Sequence, residues 1–285
     1  MAQKKTTFYL AVINSPNITG IRKLNKKEFE EYFSQIVKLE QFGNDEQLYK
    51  VVELNHIDLT EKVIHYTEYY KGNPPTIFLD LSIHLMDINR LILNLLSSIR
   101  SYLDFTETRL KREYGSESDE FKLFKLAQSK AFDENFEYRF VYILRNYSQH
   151  CGLPTGSFQV KNKVNYQKLH FHLLRDELLR SFDWKKLKHE LEMQSESFDI
   201  LPLLEKTVVL LENINIQLNE FMINKLSNHG ETLLNLIMEC QTEKGFPCLL
   251  KISGNADEPN MEVKHFPYDI ISRTTGVKMN IKVNK

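Results

Sequence analysis

From Leu79 to Tyr114 apolar side chains recur every three or four residues, at Leu81, Leu85, Ile88, Ile92, Leu95, Ile99, Leu103, Leu110 and Tyr114. That spacing sets them on one stripe of an α-helix, and Gly115 supplies its stop. At 1.5 Å per residue the helix is about 50 Å long, the length of a bundle spine. "SESDEFKLFKLAQSKAF" opens on Ser and Asp caps and predicts a second helix. "DENFEYRFVYILRNYSQHCG" predicts a third, with Asp133 as N-cap and Gly152 as stop.

The segments on either side switch period. Near the start, "TTFYLAVI" is β-branched and aromatic and predicts a strand, as does "QLYKVVEL". Between them, "NKKEFEEYFSQIVKLEQFG" reads as an amphipathic helix from an Asn25 cap to a Gly43 stop. "KGNPP" (Lys71 to Pro75) is the clearest linker signal. Beyond "GLPTG", Leu169, Phe171 and Leu173 alternate with Lys168, His170 and His172, which is the period of a strand. "SFQVK" pairs with it through a turn at "NKVN". Helices resume at Asp176: "DWKKLKHELEMQ", a long one with Pro202 in its first turn, and another, "GETLLNLIMECQTEKG", stopped by Gly245. "PCLLKI", "MEVKHF" and "VKMNIKV" then predict three strands.

These elements predict a mainly α (α+β) fold in three parts. An N-terminal α/β unit covers 1–76 and a helical domain covers 77–245, with a β-hairpin insertion near 157–174. A C-terminal β unit covers 246–285.

Composition narrows the function classes. At 42% hydrophobic and 26% charged the 285-residue chain is globular rather than disordered. Its net charge of −1 gives no global basic field, so nucleic acid would have to be held by a local patch. Cys151, Cys240 and Cys248 form no C-x-x-C pair, so neither a disulfide framework nor a Cys-based zinc site is expected, and a reducing compartment fits. The start "MAQKKTTFYLAVINSP" is short for a signal peptide and no apolar run approaches membrane-spanning length. A cytoplasmic protein without membrane contact is the expectation.

The chemistry concentrates at "YILRNYSQHCGLPTG". Phe136, Phe140, Ile143, Leu144 and Tyr147 form the apolar side of the third helix, and Tyr142, Arg145, Asn146, Gln149 and His150 the other. Asn146 and His150, four apart, share a face. Arg145 and His150 diverge by about 140° on an ideal helix. They converge only if the last turn loosens or if two chains contribute. "RNYSQH" resembles the R-x4–6-H signature of the HEPN superfamily of nucleotide-binding helical domains, many of which are RNases. The order of a long helix, a short helix and a helix ending in the motif resembles that family too, over roughly residues 79–240. The resemblance implies a metal-independent endoribonuclease, dimeric, with motifs from two protomers at one composite site. It implies catalytic roles for Arg145, Asn146 and His150, no cofactor and no metal. It further implies RNA as substrate, a toxin or anti-phage defence role, and an antitoxin or sensor partner.

The residue types suit that chemistry. His titrates near neutrality and moves protons, while a guanidinium matches phosphate oxygens and stays charged. Asn146 would orient the His or hold a phosphate oxygen. The bland reading is that Arg145 and His150 complement the negative end of the helix dipole. In that case the domain is a non-catalytic dimerisation or ligand- or RNA-binding module. Other candidates are weaker. His170 and His172 face one way on a strand but lack a third ligand in sequence, and read as an exposed polar face. Cys151 beside His150 cannot face it on a helix. "RLKREYG" and "DWKKLKHE" read as solvated basic faces. Tyr138, Tyr142 and Tyr147 read as packing residues before base-stacking ones.

Overall fold

The computed structural model describes residues 6–72, 78–163, 166–241, 243–255 and 258–279. In chain order the elements begin with β1 (Thr7–Asn14), β2 (Asn17–Leu24), α1 (Lys26–Gly72), α2 (Phe78–Tyr114), α3 (Asp119–Glu134) and α4 (Phe136–His150). Next come β3 (Ser157–Lys163), β4 (Tyr166–Leu174), α5 (Arg175–Ser181), a 3-10 turn at Lys185–Leu187, α6 (Lys188–Glu192) and β5 (Ser197–Asp199). The chain closes with α7 (Leu201–Glu239), β6 (Phe246–Asn255), β7 (Glu258–His265) and α8 (Tyr268–Thr275). The fold is mainly helical α+β. Among the described residues no helix is long and apolar enough to cross a membrane.

Two compact units emerge, and their bounds differ from the 1–76, 77–245 and 246–285 expected from sequence. One unit joins Met1–Glu46 to Asn219–Lys285, and the other is Gln47–Leu218. Strand pairing is the reason. The first unit holds one antiparallel sheet of order β2-β1-β6-β7, with Ala11 opposite Cys248 and Leu250 opposite Val263. The two flanking units are thus halves of one sheet. Ala11, Cys248 and Leu250 are buried on one of its faces, and Phe8 meets Phe29 of α1 at 4.6 Å on the other.

Helix α1 starts where its cap predicts. The Glu28 N–H donates to Asn25 Oδ1 at 2.9 Å and the Asn25 N–H donates to Glu28 Oε2 at 2.8 Å, a reciprocal capping box. Its expected stop at Gly43 is not a stop. Nor is Gly230 a helix boundary: the two helices expected there are the single α7. Both glycines are instead contact points for α8. A Cβ at Gly230 would lie 2.2 Å from Thr274 Oγ1, and one at Gly43 would lie 3.1 Å from Ile270 Cδ1. The segment "QLYKVVEL", expected as a strand, continues α1, with Tyr49 and Val52 buried and Val51 and Leu54 exposed. A short apolar run fits either period, and the long helix decides it. Helix α8 and strand β2 were not expected from the sequence.

The second unit keeps the predicted spine. In α2, Ile88, Ile92, Leu95, Ile99, Leu103 and Leu110 are all buried. Tyr114, expected on the stripe, is more than a third exposed at the helix end. Gly115 follows at φ +90°, as a helix stop requires. Helix α3 is capped by Ser118, whose Oγ accepts from the Phe121 N–H. The hairpin is present, with Phe158 opposite Phe171 and with Leu169, Phe171 and Leu173 buried. A third strand, β5, adds to it. The expected helix at "DWKKLKHELEMQ" is shorter, a 3-10 turn leading into α6. Residues 73–75 of the expected linker and 164–165 of the expected turn lie outside the described residues. In "VKMNIKV", residues 277–279 form no strand and 280–283 lie outside the described residues.

The glycine contacts give a contrast that melting can read. Alanine favours a helix over glycine by about 1 kcal/mol. Gly230→Ala must nonetheless push against buried, hydrogen-bonded Thr274, and overpacking costs about 1–3 kcal/mol. Its melting temperature is expected to fall. Gly43→Ala meets only the flexible end of Ile270 and is expected to melt at or slightly above wild type. Far-UV circular dichroism melts of the two variants check both signs.

Candidate functional site

Helix α4 carries 15 residues and buries Tyr138, Phe140, Val141, Leu144 and Tyr147. The buried side is fixed by Trp184. Its ring lies parallel to Phe140 with centroids 5.4 Å apart, stacks on Tyr147 at 5.8 Å and meets Phe182 edge-on at 5.3 Å. Its indole N–H donates to the Leu178 carbonyl at 2.7 Å, so the one tryptophan is satisfied while wholly buried. The start of the helix is tied by Arg139, which donates to the carbonyls of Phe132 and Asp133 and pairs with Glu190. The cap is Asn135, not the expected Asp133, and it makes no side-chain cap bond. Arg139, reaching back to the end of α3, does the anchoring.

With that side held, the other side presents the motif. Arg145 and Asn146 are half-buried and His150 is exposed. The Arg145 Nη1 approaches Asn146 Oδ1 at 3.5 Å, a long contact. The Arg145 Nε is buried and donates to no protein group. The last turn does not loosen: α4 stays helical to His150 and the Cys151 N–H bonds the Tyr147 carbonyl at 2.8 Å. Arg145 and His150 therefore remain about 140° apart around the axis. The structure brings Arg145 beside Asn146, keeps Asn146 and His150 on one face, and does not bring Arg145 and His150 together within one chain.

The loop after His150 is fixed by a residue that the sequence pattern did not single out. Asn89 of α2 is 1% exposed. Its Nδ2 donates to the Thr155 carbonyl and its Oδ1 accepts the Thr155 N–H, both at 2.9 Å. The Thr155 hydroxyl shares its one proton between the carbonyls of Ser157 and His172, each at 3.0 Å. The loop after α4, the spine and the hairpin thus share one hydrogen-bonded joint. The available signal was an Asn inside an apolar stripe, where an amide is costly unless paired.

The His170 and His172 pair is not the exposed face that the alternation suggested. His172 is buried and hydrogen-bonds Ser197 at 2.9 Å, while His170 Nδ1 lies 2.8 Å from Asp199 Oδ2. Asp199 Oδ1 also accepts the N–H groups of Phe171 and Leu201. These partners arrive on β5, far away in sequence. Among the described residues no group of three or more His, Cys, Asp or Glu is placed to hold a metal ion. Cys151 is exposed at the cap of α4.

Beside the motif a cleft of about 300 Å³ opens between α2, α3 and α4. Of the three tyrosines on α4, Tyr138 and Tyr147 are buried and Tyr142 stands half-exposed in the cleft wall. The Arg100 guanidinium lies over the Tyr142 ring, 4.7 Å from its centroid, and bonds Asp104 at 2.7 Å. Burial opposes the charge of Arg100, but the bond to Asp104 and the neighbouring Tyr142 more than offset this and raise its pKa, so it stays cationic. Comparison with models of known protein families, with curated proteins and with solved structures finds no match.

The Asn89 joint predicts a specific loss. Asn89→Leu keeps the volume and strands the Thr155 N–H and carbonyl in the interior. Each stranded buried group costs about 1–3 kcal/mol. Chemical denaturation is expected to show a lower unfolding midpoint. Hydrogen exchange is expected to show faster exchange at Thr155 than at the central residues of α2.

Proposed function

We propose that the protein is a metal-independent endoribonuclease of the HEPN type that acts as a homodimer. The observation that carries this reading is the state of Arg145. Among the described residues its Nε is buried without a hydrogen-bonding partner, and its Nη1 makes a long approach to Asn146. A guanidinium that only neutralised the helix dipole would sit on the terminal carbonyls. The dipole accounts for His150, in the last turn, and not for Arg145. Asn146 and His150 share a face, and the anchored loop after His150 supports a fixed site. The two-chain arrangement answers the 140° separation, because an isologous contact sets Arg145 of one protomer against His150 of its partner.

The chemistry then runs without outside reagents. One His150, as neutral imidazole, accepts the proton of an RNA 2′-hydroxyl, and that oxygen attacks the adjacent phosphorus. The 5′-oxygen leaves and takes a proton from solvent, to which the imidazolium releases the one it accepted. A 2′,3′-cyclic phosphate and a 5′-hydroxyl result. The Arg145 guanidiniums hold the charge of the phosphorane, and Asn146 orients His150. By the same resemblance the setting is a toxin or anti-phage system with an antitoxin or sensor partner.

Purified protein is expected to cut single-stranded RNA in EDTA and to leave cyclic phosphate ends. Arg145→Ala and His150→Ala are each expected to lower the rate by about 10² to 10⁴ with unchanged melting. Mixing the two variants is expected to recover part of the activity. Cleavage that stops in EDTA and returns with magnesium overturns the metal-free mechanism. Variants within a few-fold of wild type remove the motif from the chemistry. Full activity in a protein that light scattering finds monomeric rules out the composite site.

A further inference from the structure

The cleft beside α4 has the chemistry of a nucleobase site. Its floor is Tyr138, 1% exposed, with burial pushing its phenol above the ordinary range, so the hydroxyl stays a neutral donor. That hydroxyl makes no hydrogen bond of good geometry, although Gln128 is within its reach. On the rim, Lys125 Nζ donates to Glu107 Oε2 at 3.0 Å and to Gln128 Oε1 at 2.9 Å. One wall is aromatic: Phe132 meets Tyr142 edge to face with centroids 5.9 Å apart.

These groups select an occupant. Glu107 and Lys125 cancel each other and Asp133 adds a second carboxylate to the lining, so an anion is not favoured inside. An alkyl group would leave the Tyr138 hydroxyl without a partner. A flat heterocycle with donors and acceptors on its edge suits both the aromatic wall and the polar floor. Tyr138, Tyr142 and Arg145 fall at i, i+4 and i+7 on one face of α4. Arg145 therefore stands about 4.5 Å along the axis beyond Tyr142, where the phosphate of a nucleotide whose base filled the cleft would lie.

We infer that the cleft between α2, α3 and α4 binds one base of the RNA chain and so positions the phosphate at Arg145. The inference rests on the ribonuclease reading for the identity of the ligand. Its test does not need cleavage, because a 5′-mononucleotide contains no bond that the proposed reaction breaks. The base stacks on the Tyr142 ring, at a right angle to the Phe132 ring, with its edge toward Gln128 and the Tyr138 hydroxyl.

Calorimetric titration of the full chain with guanosine 5′-monophosphate and with ribose 5-phosphate separates base from phosphate. The nucleotide is expected to bind at least about fivefold tighter, the low end of what stacking on one aromatic ring contributes. Tyr142→Ala and Gln128→Leu are each expected to bring it down to the sugar phosphate, while Arg145→Ala weakens both ligands. Gln128 lies on the partly exposed side of α3, so its variant decides the matter should Tyr142→Ala fail to fold. Equal affinities for the two ligands, or a nucleotide affinity unmoved by Gln128→Leu, overturn the inference. Nucleotide binding in this pattern by a protein that does not cut RNA leaves the base site standing and removes the nuclease reading. Cleavage without the pattern does the reverse.

Discussion

A buried amide fixes the loop that follows the motif-bearing helix. Asn89 sits in the apolar stripe of the spine and bonds both backbone groups of Thr155. An unpaired amide at that depth would cost more than most side-chain contacts return, so the pairing admits one geometry for the loop. Thr155 passes the constraint on to the hairpin through the His172 carbonyl. The loop that leaves α4 after His150 is held by this joint, while α4 itself holds His150. The proton-carrying role proposed for His150 would need such support from residues that do no chemistry.

Helix α4 shows how packing divides one surface into roles. Trp184 and its ring neighbours take one side, and Arg139 fastens the start. What remains is a narrow polar side on which Tyr142 lines the cleft, Arg145 is half-buried and His150 borders solvent. Five helical steps separate them, and helix regularity to His150 keeps them apart. The proposed dimer is a consequence of this regularity. A loosened last turn would have allowed a single-chain site.

The glycines teach a related lesson. Gly43 and Gly230 have the local chemistry of helix ends, and both lie within continuous helices. They are small because α8 passes close to them, with Thr274 over Gly230 and Ile270 over Gly43. A glycine that ends a helix and one that admits a neighbour look identical in sequence. Gly115, whose φ is positive and which has open space around it, is of the first kind.

Features that depend on neighbours a few residues away are legible in the chain alone. The spine, the second and third helices, the hairpin and the Asn25 cap rest on local periodicity and capping. So does the placement of Arg145, Asn146 and His150 on the polar side of α4. Long-range pairing alone settles which strands join, and so that the first and last strands of the chain share a sheet. It also gives His170 and His172 their partners on β5, and brings Tyr138 and Tyr142, but not Tyr147, to the lining of a cleft. The reason is physical. A helix closes its hydrogen bonds within one turn, so its pattern is written in adjacent residues. A sheet, a buried amide and a cleft are closed by groups far off in sequence, which no local pattern names.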